Sequence, residues 1–388
     1  MARILIAVTH LLGSGHLVRA GHLARALAQT GHEVMLASGG MPLRPMRDEP
    51  FGFLQLPPVR IEGVAFGTLL DEAGAPIDQQ RRESRIAQLV ALAGSFRPDC
   101  VVTEHFPFGR RQLAEEFLAL IEAARQANPA VLVLASVRDV LVTPRPDRVA
   151  QAHERLADLY DGVLVHGDRR FLPLDLSWPV APELADRLHY TGYLDQPASR
   201  DAAAATAESG EILVSGGGSG AALPLFELCL EAARLLPSRR FRLLAGRGLE
   251  ASAFARLQSR APAHVLVEWA RPDFPALLAS CALSISQAGY NTVLDLLRAG
   301  RPAIVVPFDA GNETEQAMRA RAMAEAGLAS CLRLDGLGPE ALAAEVERQL
   351  VVRPTPARID RDGAAGAVAA MARLLRSRRT PLAAEAAT

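Results

Sequence analysis

The stretch SISQAGYNTVLDLLRAGRPAIVVPFDAGNETEQ, residues 284–316, decides how this chain folds. Ile285 ends an apolar run, and Ser286-Gln287-Ala288-Gly289 reads as a tight turn from a strand into a helix. Tyr290 to Ala299 has helical periodicity, with Val293, Leu294, Leu296 and Leu297 on its apolar side. Gly300 stops that helix and Pro302 prevents its continuation. Ala303-Ile304-Val305-Val306 is then a short buried strand, closed by Pro307 and Phe308.

A turn of small residues leading into a helix leaves backbone N–H groups facing outward at the positive end of the helix dipole, which suits a diphosphate. Gln287, Gly289, Tyr290 and Asn291 carry the backbone of that candidate anion site. Asp295, six residues past Gly289, could accept two hydroxyl hydrogen bonds from a ribose. Glu315 and Gln316 follow the next strand end, where open α/β sheets bind ligands, and their acceptor and amide groups suit sugar hydroxyls. Taken singly, Asp295 reads more readily as a solvated helix carboxylate and Glu315/Gln316 as a surface helix start. Together and in this order they favour a sugar-nucleotide site.

The stretch resembles the donor-binding signature of two-domain (GT-B) glycosyltransferases, in particular the family containing the N-acetylglucosaminyltransferase that makes lipid II. In that family a glycine turn opens a helix carrying an acidic ribose ligand, and a Pro-Phe strand end leads to a polar pair that reads the donor sugar. Asp295 stands where the family usually has Glu, and Glu315-Gln316 where it has a Gln pair. The resemblance implies an α/β fold of GT-B architecture, with two Rossmann-like parallel-sheet domains facing across a cleft.

Composition narrows the alternatives. The 388 residues have room for two domains of ordinary size. Forty-two basic and 43 acidic residues give a net charge of −1, so no global field draws the chain to nucleic acid or to an anionic membrane. Cys100, Cys229, Cys281 and Cys331 are scattered through apolar stretches without metal-ligand spacing and read as reduced core residues of a cytoplasmic protein. The apolar run Ile4 to Val8 is too short for a signal peptide or a membrane span.

The N-terminal half opens with a strand over residues 3–8, a helix ending near Gln29 and a second strand from Glu33 to Ala37, a Rossmann-like βαβ unit. Its first loop carries Gly13-Ser14-Gly15-His16; Val18 occupies the place of the third glycine of a dinucleotide fingerprint. His16 lies at a helix start on the carboxyl side of the first strand, and the family resemblance matches it to the histidine of a Gly-Gly-His loop that faces the donor. It is the candidate general base, with Ser14 beside it as a cleft candidate. Residues 41–80 read as an irregular Pro- and Gly-rich insertion. Within it Phe51, Phe53, Leu54 and Leu56 could line an acceptor pocket, touch a membrane surface or simply pack on their own domain. A helix spans Arg81 to Ser95 and a strand Asp99 to Thr103, which runs out into Glu104 and His105. Either could assist the base or bind acceptor, and a structural turn explains the pair equally well. Further strands are expected at Val131–Ala135 and Gly162–Val165, with Ser136-Val137-Arg138-Asp139 and His166-Gly167-Asp168 at their ends.

The expected division is a first domain over 1–194, a linker over 195–210, a second Rossmann-like domain over 211–376 that binds the nucleotide sugar, and a disordered tail over 377–388. The second domain restarts with a strand at Glu211–Val214 and the glycine-rich turn Ser215 to Ala221. The family has a Gly-Gly-Ser-x-Gly-Ala loop beside the diphosphate, which makes Gly217, Gly218, Ser219 and Gly220 candidate donor ligands. After strands at Phe241–Ala245 and Val265–Glu268 come Gly246-Arg247-Gly248 and Trp269; the family holds the nucleobase in this region, and Arg247 is the candidate contact. Asp360-Arg361-Asp362 precedes the last helix and reads as helix capping rather than as a metal clamp.

The expectation is therefore an inverting glycosyltransferase that uses no metal or other cofactor and moves a sugar from a nucleotide-diphosphate donor, a UDP-sugar, to an unidentified hydroxyl acceptor. Two other readings share the same residues: a GT-B sugar-nucleotide 2-epimerase, which needs no acceptor, and a nucleotide-sugar-binding subunit without catalysis.

Overall fold

The computed structural model describes residues 1–11, 15–42, 48–62, 67–142, 145–195, 210–218, 220–308, 314–353 and 358–385. Gly13, Ser14, Ser219, the 196–209 part of the linker and residues 309–313 lie outside them. The chain forms two compact units, Met1–Gln196 with Asp360–Thr388, and Pro197–Ile359.

The first unit runs β1 (Arg3–Val8), α1 (Gly15–Gln29), β2 (Glu33–Ser38), β3 (Gly52–Gln55), α2 (Gln79–Phe96), β4 (Cys100–Glu104), α3 (Ala114–Ala127), β5 (Leu132–Arg138), α4 (Pro146–Leu159), β6 (Gly162–His166), α5 (Pro182–Ala185) and β7 (Leu188–Tyr190). Its strands make one parallel sheet in the order β3-β2-β1-β4-β5-β6-β7. Successive side chains of a strand point to opposite faces, and both faces are covered, which is why RILIAV is apolar throughout. One face carries Ile4, Ile6, Cys100, Val102, Leu132, Leu134 and Leu164 against Leu17, Ala20, Leu23 and Leu27 of α1. The other carries Leu5, Val101, Val133, Val137 and Val165 against Leu89 of α2, Phe117 and Leu120 of α3 and Leu156 of α4.

The second unit repeats the plan with β8 (Ile212–Ser215), α6 (Leu223–Leu235), β9 (Phe241–Ala245), α7 (Ala251–Arg260), β10 (Val265–Trp269), α8 (Phe274–Ser280), β11 (Leu283–Ser286), α9 (Tyr290–Ala299), β12 (Ala303–Val305), α10 (Glu315–Glu325), β13 (Ser330–Cys331) and α11 (Pro339–Leu350). The sheet order is β10-β9-β8-β11-β12-β13, again parallel. In both units the order reverses between the first and the fourth strand, the arrangement of a doubly wound sheet. The turn-helix-strand reading of residues 286–305 holds, with α9 ending at Gly300 in the left-handed region (φ 60°).

Two expectations are corrected. The insertion over 41–80 contains β3, a short strand that extends the sheet edge by pairing parallel to β2. Of the readings for Phe51, Phe53, Leu54 and Leu56, packing on their own domain is borne out: Phe51 and Leu56 are core residues at 7% and 2% exposure, and Phe53 and Leu54 are partly buried against the same cores. Lastly, the expected second domain to 376 and disordered tail give way to a final helix, α12 (Gly363–Glu385), belonging to the first unit. Ala367, Ala370 and Met371 complete the core under α1, with Ala364, Val368, Leu374 and Leu375 packed around them. An apolar stripe on a helix says that it covers a sheet, but not which of two.

The helix approaches by direct backbone contact. A Cβ on Gly366 would lie 2.0 Å from the Thr191 carbonyl oxygen, and one on Gly363 would lie 2.5 Å from that of Gly192. Asp360 N donates to Asp168 Oδ2 (2.9 Å) and Asp362 N to Asp360 Oδ1 (3.0 Å), so the Asp-x-Asp ties the returning chain down just before α12. Gly366→Ala therefore destabilises the protein by about 1–3 kcal/mol through forced separation of α12 from Thr191. Gly94→Ala in α2, where a Cβ meets nothing within 4 Å, stabilises by about 0.5–1 kcal/mol. Urea denaturation of the two variants reads the contrast.

Candidate functional site

A parallel sheet brings the carboxyl ends of its strands to one edge, and the loops after β1 and β4 diverge there because the strand order reverses between them. Along the face covered by α1, each strand continues its apolar row into a polar residue at that edge. Cys100 and Val102 are followed by Glu104, Leu132 and Leu134 by Ser136, and Leu164 by His166. Glu104 and Ser136 are register partners, while His166 lies two residues beyond Ser136's own partner, Leu164. The first turn of α1 adds His16 and, one turn on, Arg19.

These residues form one buried cluster. Glu104, 1% exposed, is met by three side chains. His16 Nδ1 lies 2.9 Å from its Oε1, to which Arg19 Nη2 also donates; Ser136 Oγ donates to its Oε2 (2.5 Å). Arg19 Nη2 lies 3.0 Å from His16 Nδ1 as well. An arginine nitrogen only donates, so Nδ1 cannot both give its proton to Glu104 and receive one from Arg19. The carboxylate is the stronger acceptor of both, which makes Nδ1–H···Glu104 the bond and the Arg19 approach a close contact. Behind Glu104, Ser136 Oγ meets His166 Nε2 (3.0 Å), and His166 Nδ1 meets Thr191 Oγ1 (2.9 Å).

His105 stands beside His16, with ring centroids 5.2 Å apart. Its backbone is left-handed (φ 68°), and its ring occupies space that any Cβ on Gly109 would enter at 2.4 Å. Arg110 anchors the same loop by donating Nε to the Thr9 carbonyl (2.7 Å).

Burial holds both His16 and His105 well below the usual histidine range, and Arg110 adds to the shift in each. His166 is lowered to about 3, first by burial and then by Arg19. Burial alone pushes Glu104 up, but Arg19 and the Ser136 hydroxyl reverse this and hold it below the usual carboxylate range. Burial brings even Arg110 down to about 10. At neutral pH the cluster thus contains an ionised carboxylate and neutral imidazoles.

In the second unit the expected donor residues gather at the corresponding edge. Gly217 is left-handed (φ 66°), and the Gly217-Gly218 backbone packs directly on Gly246, where a Cβ would lie 2.2 Å from the Gly217 carbonyl oxygen. Gly248 N donates to Gly218 O (3.1 Å), and a Cβ on Gly220 would lie 2.7 Å from Gly248 O. The two glycine loops are therefore locked together, and Arg247 between them is exposed with its guanidinium 5.3 Å from the Trp269 ring. Gln287 Nε2 reaches the Ala221 carbonyl (3.4 Å), joining the turn after β11 to the turn after β8. Gly289 is the N-cap of α9 and Tyr290 and Asn291 form its first turn; no side chain caps it. Asp295 is half-buried, 3.1 Å from Arg298 Nη1, and burial raises it to about 6.

The polar pair is engaged with the protein itself. Gln316 Oε1 accepts from Ala288 N and Phe308 N, both at 3.1 Å, bracing the turn after β11 against the end of β12. That leaves its amide nitrogen as the part able to meet a sugar. Glu315 is buried and paired with Arg319 (3.4 Å), whose guanidinium lies 5.7 Å from the Tyr290 ring.

Sequence reasoning brought His16, Glu104 and His105 together by position and missed Arg19, the contacts of Ser136 and His166 behind Glu104, and Thr191. The missing signal is the period-2 row: the last apolar residue of that row in β4, β5 and β6 is followed two places later by a polar one.

The Glycosyltransferase family 28 C-terminal domain matches residues 211–370. The UDP-N-acetylglucosamine–N-acetylmuramyl-(pentapeptide) pyrophosphoryl-undecaprenol N-acetylglucosamine transferase of Methylobacterium sp. (strain 4-46) is 31% identical over 286 residues, covering 66% of this chain and 77% of that protein. The chain belongs to the family of that transferase, glycosyltransferase family 28. With three other family 28 transferases of the same name the alignments span only 22%, 36% and 48% of the relative's length. Among solved structures, the MurG of Acinetobacter baumannii superposes with a TM-score of 0.59 at 19% identity, covering 98% of this chain and 100% of that one. CalG4, the calicheamicin glycosyltransferase, does so with 0.60 at 21% identity, covering 97% and 98%. These likenesses establish the GT-B fold. No helix among the described residues is long and apolar enough to cross a membrane.

The buried Glu104–Arg19 pair gives a direct test of the cluster. Arg19→Met leaves a buried carboxylate without its cation and destabilises by about 3 kcal/mol at pH 8. A carboxyl held below its unfolded value contributes stability above about pH 4.3 and loses it as pH falls through the folded value. The difference between wild type and variant in urea denaturation should therefore open above about pH 4.3 and close below it.

Proposed function

We propose that this family 28 protein is an inverting glycosyltransferase that moves a sugar from a UDP-sugar to a hydroxyl acceptor without a metal ion. The observation that carries the reading is the His16–Glu104 contact of 2.9 Å. A neutral imidazole whose Nδ1 proton is given to a buried carboxylate has its Nε2 lone pair available as a general base. The acceptor oxygen attacks the anomeric carbon from the side opposite the diphosphate. As the new C–O bond forms, the bond to the diphosphate oxygen breaks and the acceptor proton passes to His16 Nε2. Configuration inverts, and Glu104 stabilises the imidazolium.

The leaving diphosphate is held by backbone N–H groups of the glycine-rich turn Gly217–Gly220 and of the first turn of α9, which take the role a cation has in other transferases. Asp295 accepts from the ribose hydroxyls, Arg247 lies at the nucleobase, and the amide of Gln316 approaches the sugar, while Glu315, paired with Arg319, braces the start of α10. The donor class is supported by the relatives, whose names specify UDP-N-acetylglucosamine.

A thermal-shift screen of UDP-, GDP- and dTDP-sugars identifies the donor, since a ligand at ~100 times its dissociation constant adds ~2.7 kcal/mol. His16→Ala then lowers turnover by ~10²–10⁴ while donor binding persists. Near-normal turnover in that variant would remove His16 from the chemistry. Incubation with donor alone should yield no epimer, which distinguishes transfer from 2-epimerisation.

Asp295 supplies a pH test on the donor side. Its carboxyl is raised to about 6, and ribose hydroxyls favour the ionised form. Donor affinity measured by calorimetry therefore increases as pH rises through about 6 and then levels off. In Asp295→Asn that rise is absent, and affinity at pH 8 is about tenfold weaker.

A further inference from the structure

We propose that Ser136 and His166 are positioning residues for the reaction: through one directed chain of hydrogen bonds they fix the Glu104 carboxylate, which in turn holds His16 with Nδ1 protonated and Nε2 bare. The proposal rests on His16 being the proton acceptor.

The direction follows from counting protons. An ionised carboxylate has none to give, so the Ser136 hydroxyl, 2.5 Å from Glu104 Oε2, donates to it. That spends the only proton of Ser136. The contact of 3.0 Å between Ser136 Oγ and His166 Nε2 must then run the other way, with Nε2–H donating. A neutral His166 protonated on Nε2 is bare at Nδ1, and the Thr191 hydroxyl, 2.9 Å away and also 2.9 Å from the Gly192 carbonyl and 3.3 Å from that of Val165, gives its one proton to this nitrogen, the more basic acceptor of the three. From the other side His16 Nδ1–H donates to Glu104 Oε1. Every bond points at the carboxylate. The opposite wiring requires a protonated Glu104, which the adjoining Arg19 guanidinium opposes.

The chain is also closed to water. Ser136, His166, Thr191 and Glu104 are each at most 1% exposed, so no solvent molecule substitutes for a lost partner at the surface. Among the described residues, the charged and titratable groups facing His16 are Arg19 on its own helix, His10 after β1, Glu104 at the end of β4, His105 and Arg110 after it, and Arg138 at the end of β5. Only Glu104 among them is an acceptor of charge-assisted bonds, so the orientation of that one carboxylate decides which imidazole nitrogen is bare.

Long-range proton–nitrogen NMR of the histidine-labelled full chain at pH 7.5 reads the wiring, with His16→Gln and His166→Gln used for assignment. The expected result is His166 protonated on Nε2 and His16 protonated on Nδ1. In Ser136→Ala, His166 loses its tautomer preference, the pH profile of kcat shifts, and kcat falls about tenfold with the donor KM unchanged. Ser136→Thr, which keeps the hydroxyl, restores all three. His166 found protonated on Nδ1 or charged at neutral pH overturns the proposal, and the wild-type spectrum alone suffices for that. Unchanged spectra and kcat in Ser136→Ala overturn it too. The NMR arm needs no acceptor, so the two readings fail separately. Reversed tautomers with an inactive His16→Ala sink the relay alone. The expected tautomers with a fully active His16→Ala sink the general base, and with it the catalytic purpose of the relay.

Discussion

Parallel strands deliver all their carboxyl ends to one edge, and a sheet wound in both directions from its first strand parts the loops at a single place on that edge. In the first unit the place lies between β1 and β4, and in the second between β8 and β11. Everything functional in the chain follows from this constraint. His16 enters from the loop after β1 and Glu104 ends β4, so two residues 88 positions apart become hydrogen-bond partners. In the same way the glycine turn after β8 meets the Gln287 turn after β11.

The first unit continues its core into its site. A carboxylate at 1% exposure is costly unless its charge is met, and Glu104 is met by Arg19, by a hydroxyl and by an imidazole N–H. The arginines do a second thing. After burial, the larger cause, Arg110, Arg19 and Arg138 all oppose a positive charge on His16, so the resting imidazole is neutral. An imidazole held neutral by cations alone would be a reluctant base, because the imidazolium would meet the same repulsion. The contact with Glu104 supplies the attraction that would make the charged form reachable in the proposed reaction.

Much of this was legible in the residues. The turn, helix and strand after Ile285 came from small residues, a 3.6-residue period and a Gly–Pro stop, and α9 falls on Tyr290–Ala299 as read. The strand Phe241–Ala245 was equally plain. Less legible was anything set by long-range packing. β3 is a four-residue edge strand whose only requirement is a free neighbour in β2, and FGFLQL among prolines gives little hint of one. The destination of α12 depends on which sheet has an uncovered face. The engagement of Gln316 with two backbone amides could not be foreseen either, since an amide side chain is as well suited to a loop brace as to a sugar. His166 and Ser136 were recognisable as strand ends, but their partnership needs the diagonal offset between β5 and β6.

The glycines at the seam between β7 and α12 explain why a relay this long can be precise. Thr191 ends it, and Thr191 lies where the chain leaves β7 and where the returning segment docks by backbone contact at Gly192, Gly363 and Gly366. Contacts between main chains have no rotamers to exchange, so this end is fixed more rigidly than side-chain packing could fix it. The other end, His16, belongs to the first turn of α1, whose Leu17 and Ala20 are buried in the same core as Ala367 and Met371 of α12. One hydrophobic core thus sets both termini of the hydrogen-bond chain. Loosening α12 would be felt at His16 through that core as well as through Thr191, His166, Ser136 and Glu104, although α12 carries none of the site residues.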